Sequence, residues 1–225
     1  MRTKALFCAA ALAAGVATSM AQSNVYSLNV VGYVNVAVPD SSVGFVMVCN
    51  PLSQATNDLN HIIPNPPDST TVFRWDVVNQ GLDGNTVPTY SAGSQSWIPN
   101  SIINPGEGFI LGSGGGPFTN TFVGNVLQGA LSLPVTGNGN ANMIGSMVPV
   151  SGGLLTNVLA QYPASDSDNV FLWDVVNQGL DGNTIPTYSA GSGAWIPDAN
   201  IAVGQGFILS RAAGPVTYTR NFTVQ

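Results

Sequence analysis

One histidine, one glutamate and two cysteines are the side chains from which this sequence could build acid–base or nucleophilic chemistry. A Ser-His-Asp or Cys-His arrangement would have to rest on His61, which lies beside Leu59, Ile62 and Ile63. Packing or helix capping is the simpler role for it. Glycoside hydrolysis needs two carboxylates flanking a cleft. Glu107 is the only glutamate, and the repeated pairs Asp76/Asp83 and Asp174/Asp181 are read as solvated strand and turn residues.

Metal-binding patterns are equally thin. There is no Cys/His cluster of zinc type. Asp83, Asn85 and Asn79, with Asp181, Asn183 and Asn177, offer oxygens suited to calcium. Their spacing does not match a twelve-residue calcium loop, and turn chemistry explains them. The glycines of Gly112-Ser113-Gly114-Gly115-Gly116 run into Pro117-Phe118-Thr119, a strand start rather than the helix start a phosphate loop needs. The reading is therefore a non-enzyme with no metal and no cofactor.

Aromatic residues give the one tentative ligand site. Trp75 and Trp173 share a strand face with Phe73 and Phe171 and are assigned to the core. Trp97 and Trp195 follow Gly/Ser-rich loops, and Tyr90 and Tyr188 close the strand before each loop. Were these rings exposed, they would suit sugar rings, which present apolar faces rimmed by hydroxyls. Core packing is the competing assignment for them.

What positions all these residues is a duplication. Trp75–Ser94 reads WDVVNQGLDGNTVPTYSAGS and Trp173–Ser192 repeats it at an offset of 98, with Val87 changed to Ile185. Trp97-Ile98-Pro99 matches Trp195-Ile196-Pro197, and Gly108-Phe109-Ile110-Leu111 matches Gly206-Phe207-Ile208-Leu209. A period near a hundred exceeds solenoid and propeller repeats, so each copy is read as a domain, residues 22–126 and 127–225. With no Pro-rich or charged linker between them, the units are expected to pack side by side.

Period-two alternation predicts strands at 26–38, 44–49, 72–77, 86–90, 96–98, 108–112 and 118–123. Asp83-Gly84-Asn85 predicts a hairpin turn. Leu154, Leu155, Val158, Leu159 and Tyr162 recur at helical spacing, so each copy is expected to carry one short helix. The fold class is mainly β: two tandem homologous β-sandwich or open-barrel units.

Residues 1–21 have the layout of a secretory signal: Arg2 and Lys4, an apolar run, then Ser19-Met20-Ala21, with removal expected near Ala21. That leaves Cys49 as the sole mature cysteine, read as a small buried hydrophobe. Only 7% of residues are charged and the pI is near 4.2. Only Arg74, Arg211 and Arg220 are basic after the signal, which excludes electrostatic binding of nucleic acid. No later run is long enough to enter a membrane as a helix after cleavage.

The early strand Val31–Val36 (VGYVNV), the run Gly106–Leu111 (GEGFIL) and the run Thr121–Gly129 (TFVGNVLQG) resemble segments of a large group of exported bacterial proteins with a signal peptide and two β units. The resemblance spans the mature chain and implies location and architecture, with no activity to carry over. The expected function is thus an exported, non-catalytic structural or interaction protein of the cell exterior, meeting itself or other extracellular components. The alternative is a carbohydrate-binding module with one aromatic site per repeat.

Overall fold

The computed structural model describes residues 30–224. The expected signal segment and the first residues of the expected strand 26–38 lie outside them. The first unit contains β1 (Val31–Val38), β2 (Phe45–Cys49), β3 (Thr71–Phe73), β4 (Trp75–Asp76) and β5 (Gly81–Leu82). It continues through β6 (Thr89–Ser91), β7 (Ser96–Ile98), β8 (Gly108–Gly112) and β9 (Phe118–Asn125). The second contains β10 (Gly129–Val135), β11 (Ala141–Ile144), β12 (Gly152–Gly153), β13 (Asn169–Phe171), β14 (Trp173–Asp174) and β15 (Gly179–Leu180). It ends with β16 (Thr187–Ser189), β17 (Ala194–Ile196), β18 (Asn200–Ile201), β19 (Phe207–Ser210) and β20 (Val216–Phe222).

Each unit has one five-stranded antiparallel sheet, in the order β2-β8-β3-β6-β7 in the first and β11-β19-β13-β16-β17 in the second. A two-stranded ribbon accompanies each: β1 with β9, and β10 with β20. The first core lies between these layers, joining Val48, Val72, Phe109 and Leu111 of the sheet to Val34, Val38 and Phe122 of the ribbon. Helix α1 (Leu59–Ile62) adds Leu59 and Ile62, and the π-helical turn Leu154–Val158 adds Leu154 and Val158 to the second core. The chain is therefore mainly β, in two tandem β units with one short helix each.

The strand expected over 72–77 is broken at Arg74, and its apolar faces are divided differently. Val72 enters the unit's own core, whereas Phe73 and Trp75 pack against a third cluster, Met47, Ile110, Met143 and Ile208, drawn from both units. Both faces of the five-stranded sheet are thus covered. Alternation alone reads such a strand as half-buried because it cannot reveal a second covering layer. Trp75 and Trp173 accordingly belong to the junction, not to the unit cores.

The hairpin turn also sits earlier than Asp83-Gly84-Asn85. It is Val77–Gln80, joining β4 to β5. Asp76 Oδ1 accepts from the Val78 and Asn79 amides at 2.8 and 3.0 Å, and Asn79 Nδ2 donates to Asp76 Oδ2 at 2.6 Å. Gln80 completes the turn at φ 54°. This local side-chain closure outcompetes the later Asp-Gly pair. The strand expected at 86–90 forms at Thr89–Ser91 instead.

The second core encloses a charge pair. Asp168 is fully buried, accepting from Ser165 N, Tyr162 Oη and Ala212 N at 2.9, 3.0 and 2.8 Å. Arg211 Nη1 lies 3.4 Å from the same carboxylate and donates to Pro163 O at 2.8 Å. At the matching positions of the first unit stand Thr70 and Ser113.

Candidate functional site

A reciprocal set of side-chain hydrogen bonds lies where the two units meet. The arm β4–β5 of the first unit reaches across to edge strand β11 of the second. Trp75 Nε1 donates to Ala141 O at 2.9 Å. Gln80 Oε1 accepts from Ala141 N at 2.6 Å, while its Nε2 donates back to Val77 O at 2.7 Å. The arm β14–β15 makes the mirror contact with β2. Trp173 Nε1 donates to Phe45 O at 2.9 Å, and Gln178 Oε1 accepts from Phe45 N at 2.5 Å.

Edge-strand main chain would otherwise be left unpaired, so each clasp meets the demand of an uncapped edge in the partner unit. The arm's own closure recurs to the same lengths at Asp174, with Val176, Asn177 and the Asn177 side chain at 2.8, 3.0 and 2.6 Å. This gives WDVVNQG a physical reason to be the same in both copies: the hairpin presents Trp and Gln together.

The Gly-x-Gly segments complete the junction. Gly145 N donates to Gly106 O at 3.0 Å and Cys49 N donates to Gly204 O at 2.9 Å, a reciprocal pair. A Cβ on Gly108 would lie 2.9 Å from Ile144 N, and one on Gly206 would lie 2.6 Å from Val48 O. Only glycine lets the two backbones approach so closely. The sequence singled out these glycines without indicating their role. The signal available was that Gly-x-Gly-Phe occurs once per copy before a buried strand.

Among the described residues, concavities lie along this junction. Two grooves of about 280 and 180 Å³ flank the junction, one bordered by Ala37, Met47, Trp173 and Gln205, the other by Leu133, Met143, Trp75 and Glu107. Between them is an apolar cavity of about 190 Å³ formed by Met47, Ile110 and Trp75 with their counterparts Met143, Ile208 and Trp173.

The residues expected to do chemistry are dispersed. His61 is an exposed helix residue whose Nδ1 lies 2.7 Å from Asp58 Oδ1 and 3.0 Å from Thr56 Oγ1. Both partners meet the same ring nitrogen, so they do not form the nucleophile–base–orienter chain of a triad. Asp58 caps the helix. Burial raises its pKa, but hydrogen bonds from His61 and Asn100 outweigh that and leave it lowered. Cys49 is buried, and desolvation pushes its thiol up to about 12. Asp83 Oδ1 accepts from Asn85 N at 2.9 Å and Asn79 Nδ2 donates to Asp76, so the residues considered for calcium belong to two separate turns. Among the described residues no three His, Cys, Asp or Glu side chains converge.

The tentative sugar site lies in the interior. Tyr90 and Trp97 face each other across β6 and β7 at 5.7 Å, edge to face, and both are buried. Trp97 Nε1 donates to Ile63 O at 2.9 Å. Trp195 is likewise buried, with Tyr188 half-buried against it at 5.5 Å. Ring faces taken up by each other and by the core offer no open platform for a sugar.

The arms carry a pH dependence. Asp76 and Asp174 are held below the usual carboxylate range, first by the Asn79 and Asn177 amides and then by those residues' side chains. A folded pKa below the unfolded value near 3.9 stabilises above that value and is lost as pH falls through the lower one. Carboxyl-carbon NMR titration is expected to give midpoints below about 3.9 for both, with arm resonances shifting only in that acid window. A midpoint at or above that value would contradict the turn geometry.

No protein-family model, no curated protein and no solved structure matches this chain.

Proposed function

We propose that this chain is an exported, non-catalytic structural or interaction protein of the cell exterior, working through its strand edges and faces. The observation that carries the proposal is strand β1, eight residues without a charge, which pairs with β9 alone among the described strands. An uncharged edge of that length is what lateral association needs and what a chain selected to stay apart avoids. The low charge of the whole chain supports the same reading, as does its resemblance to exported bacterial proteins. Export rests on residues 1–21.

Fractionation of native cells with mass spectrometry tests it. Recovery from envelope or medium with the N-terminus at Gln22 is the expected outcome. Full-length chain confined to the cytosol would refute it.

A further inference from the structure

We propose that β1 is a homodimerisation edge, at which two copies of the chain join antiparallel into a continuous β9-β1-β1-β9 sheet. This rests on the interaction role just proposed and names its partner. Val126 N donates to Val30 O at 2.7 Å, which fixes the phase of the ladder: even-numbered residues of β1 bond to β9. The amides and carbonyls of Val31, Tyr33, Asn35 and Ala37 therefore point away from β9, with Asn35 and Ala37 on the rim of the groove bordered by Trp173 and Gln205. The same four side chains are exposed on the outer face, with Val31 at 66% and Tyr33 at 75%. Val123, opposite Tyr33, is exposed at 47% and widens the apolar strip.

A second copy fits this edge for three reasons. First, an antiparallel strand edge is self-complementary. With Val31 opposite Ala37 and Tyr33 opposite Asn35 of the other molecule, all four outward residues of each strand are paired over about 20 Å. Second, the chain has a formal net charge of −6, so two copies repel at most surfaces, yet this strand contains no charge to oppose their approach. Third, the matching edge in the second unit is blocked. Pro134, opposite Thr217, stands where Ala37 is opposite Thr119, and has no N–H to offer. Ala130 and Asn221 replace the exposed Tyr33 and Val123 there. With the matching edge of the second ribbon blocked, pairing at β1 gives a closed dimer rather than a fibre.

Sedimentation of the mature chain over a wide concentration range tests the proposal, paired with hydrogen exchange of β1. A monomer–dimer equilibrium is expected, with the Val31, Tyr33, Asn35 and Ala37 amides gaining protection as dimer forms. Tyr33→Lys should weaken the dimer about tenfold or more, roughly 1.4 kcal/mol. Ala37→Pro, which copies the second unit, should also weaken it. Ala130→Lys at the matching site of the second unit should leave it unchanged. A strictly monomeric chain at millimolar concentration, including one whose own N-terminal segment protects β1, would overturn the proposal. So would a dimer indifferent to Tyr33→Lys and Ala37→Pro, although a chain recovered outside the cell would then still support the broader role.

Discussion

Asp168→Ala is expected to destabilise the chain by about 3–5 kcal/mol, because it leaves the buried Arg211 without its counter-charge. Three further donors, Ser165 N, Tyr162 Oη and Ala212 N, would lose their acceptor in the same stroke. The first unit shows how the site closes without charge. There Thr70 Oγ1 donates to Pro67 O at 2.7 Å and accepts from Gly114 N, while Ser113 Oγ donates to Gly116 O at 2.7 Å. The double variant Asp168→Thr/Arg211→Ser should therefore recover most of what the single one loses. Urea denaturation of both variants checks this. A single-variant loss below about 1 kcal/mol, the net worth of an ordinary hydrogen bond, would contradict the account, as would a double variant no more stable than Asp168→Ala.

Removing both clasp tryptophans is the second large perturbation. Fully buried Trp→Ala changes cost about 3–5 kcal/mol, and Trp75 and Trp173 are half-buried, so about 2 kcal/mol each is expected. Both border the same axial cavity, so the two losses should not simply add. The location of the damage is more informative than its size. In Trp75→Ala/Trp173→Ala the unit cores around Trp97 and Trp195 remain intact, so the halves should lose each other before they lose their folds. Trp75→Phe keeps an aromatic ring and removes only the donor to Ala141 O, at about 1 kcal/mol. Hydrogen exchange at the Ala141 and Phe45 amides, which the arms hold, reads out the junction, while the fluorescence of the remaining Trp97 and Trp195 reads out the unit cores. Loss of that core fluorescence at the same denaturant concentration as the amide protection in the double alanine variant would place Trp75 and Trp173 inside the unit cores after all.

Much of the architecture was legible because it is written twice. Matching strings at a fixed offset reveal two units without any reference to packing, and apolar runs such as Phe45–Cys49 and Gly108–Gly112 become central or edge strands as expected. The junction was not legible, for a physical reason. In Val72-Phe73-Arg74-Trp75 the apolar side chains fall on both faces, and only a second unit decides that both are buried. Asp168 and Arg211 stand 43 positions apart with no local pattern to pair them. Tyr90 and Trp97 could have been placed better. A short Ser/Gly-rich turn between two strands puts them directly opposite each other, and a cross-strand aromatic pair is a core feature more readily than an open platform.

The same comparison shows what the repeat conserves between its copies. The arm hairpin, the two Gly-x-Gly segments and the sheet order agree in both units, while Asp168/Arg211, Pro134 and the Tyr33 strip each occur in one. The shared features build the reciprocal junction. The unshared ones give each unit its own interior and its own outer edge.

Differential scanning calorimetry of residues 22–225 tests that junction most directly. If the reciprocal clasps weld the units together, heating should give one transition whose calorimetric and van't Hoff enthalpies agree. Two resolved transitions in the unmodified chain, each with the enthalpy of a single unit, would show that the halves melt independently and that the clasps do not hold them.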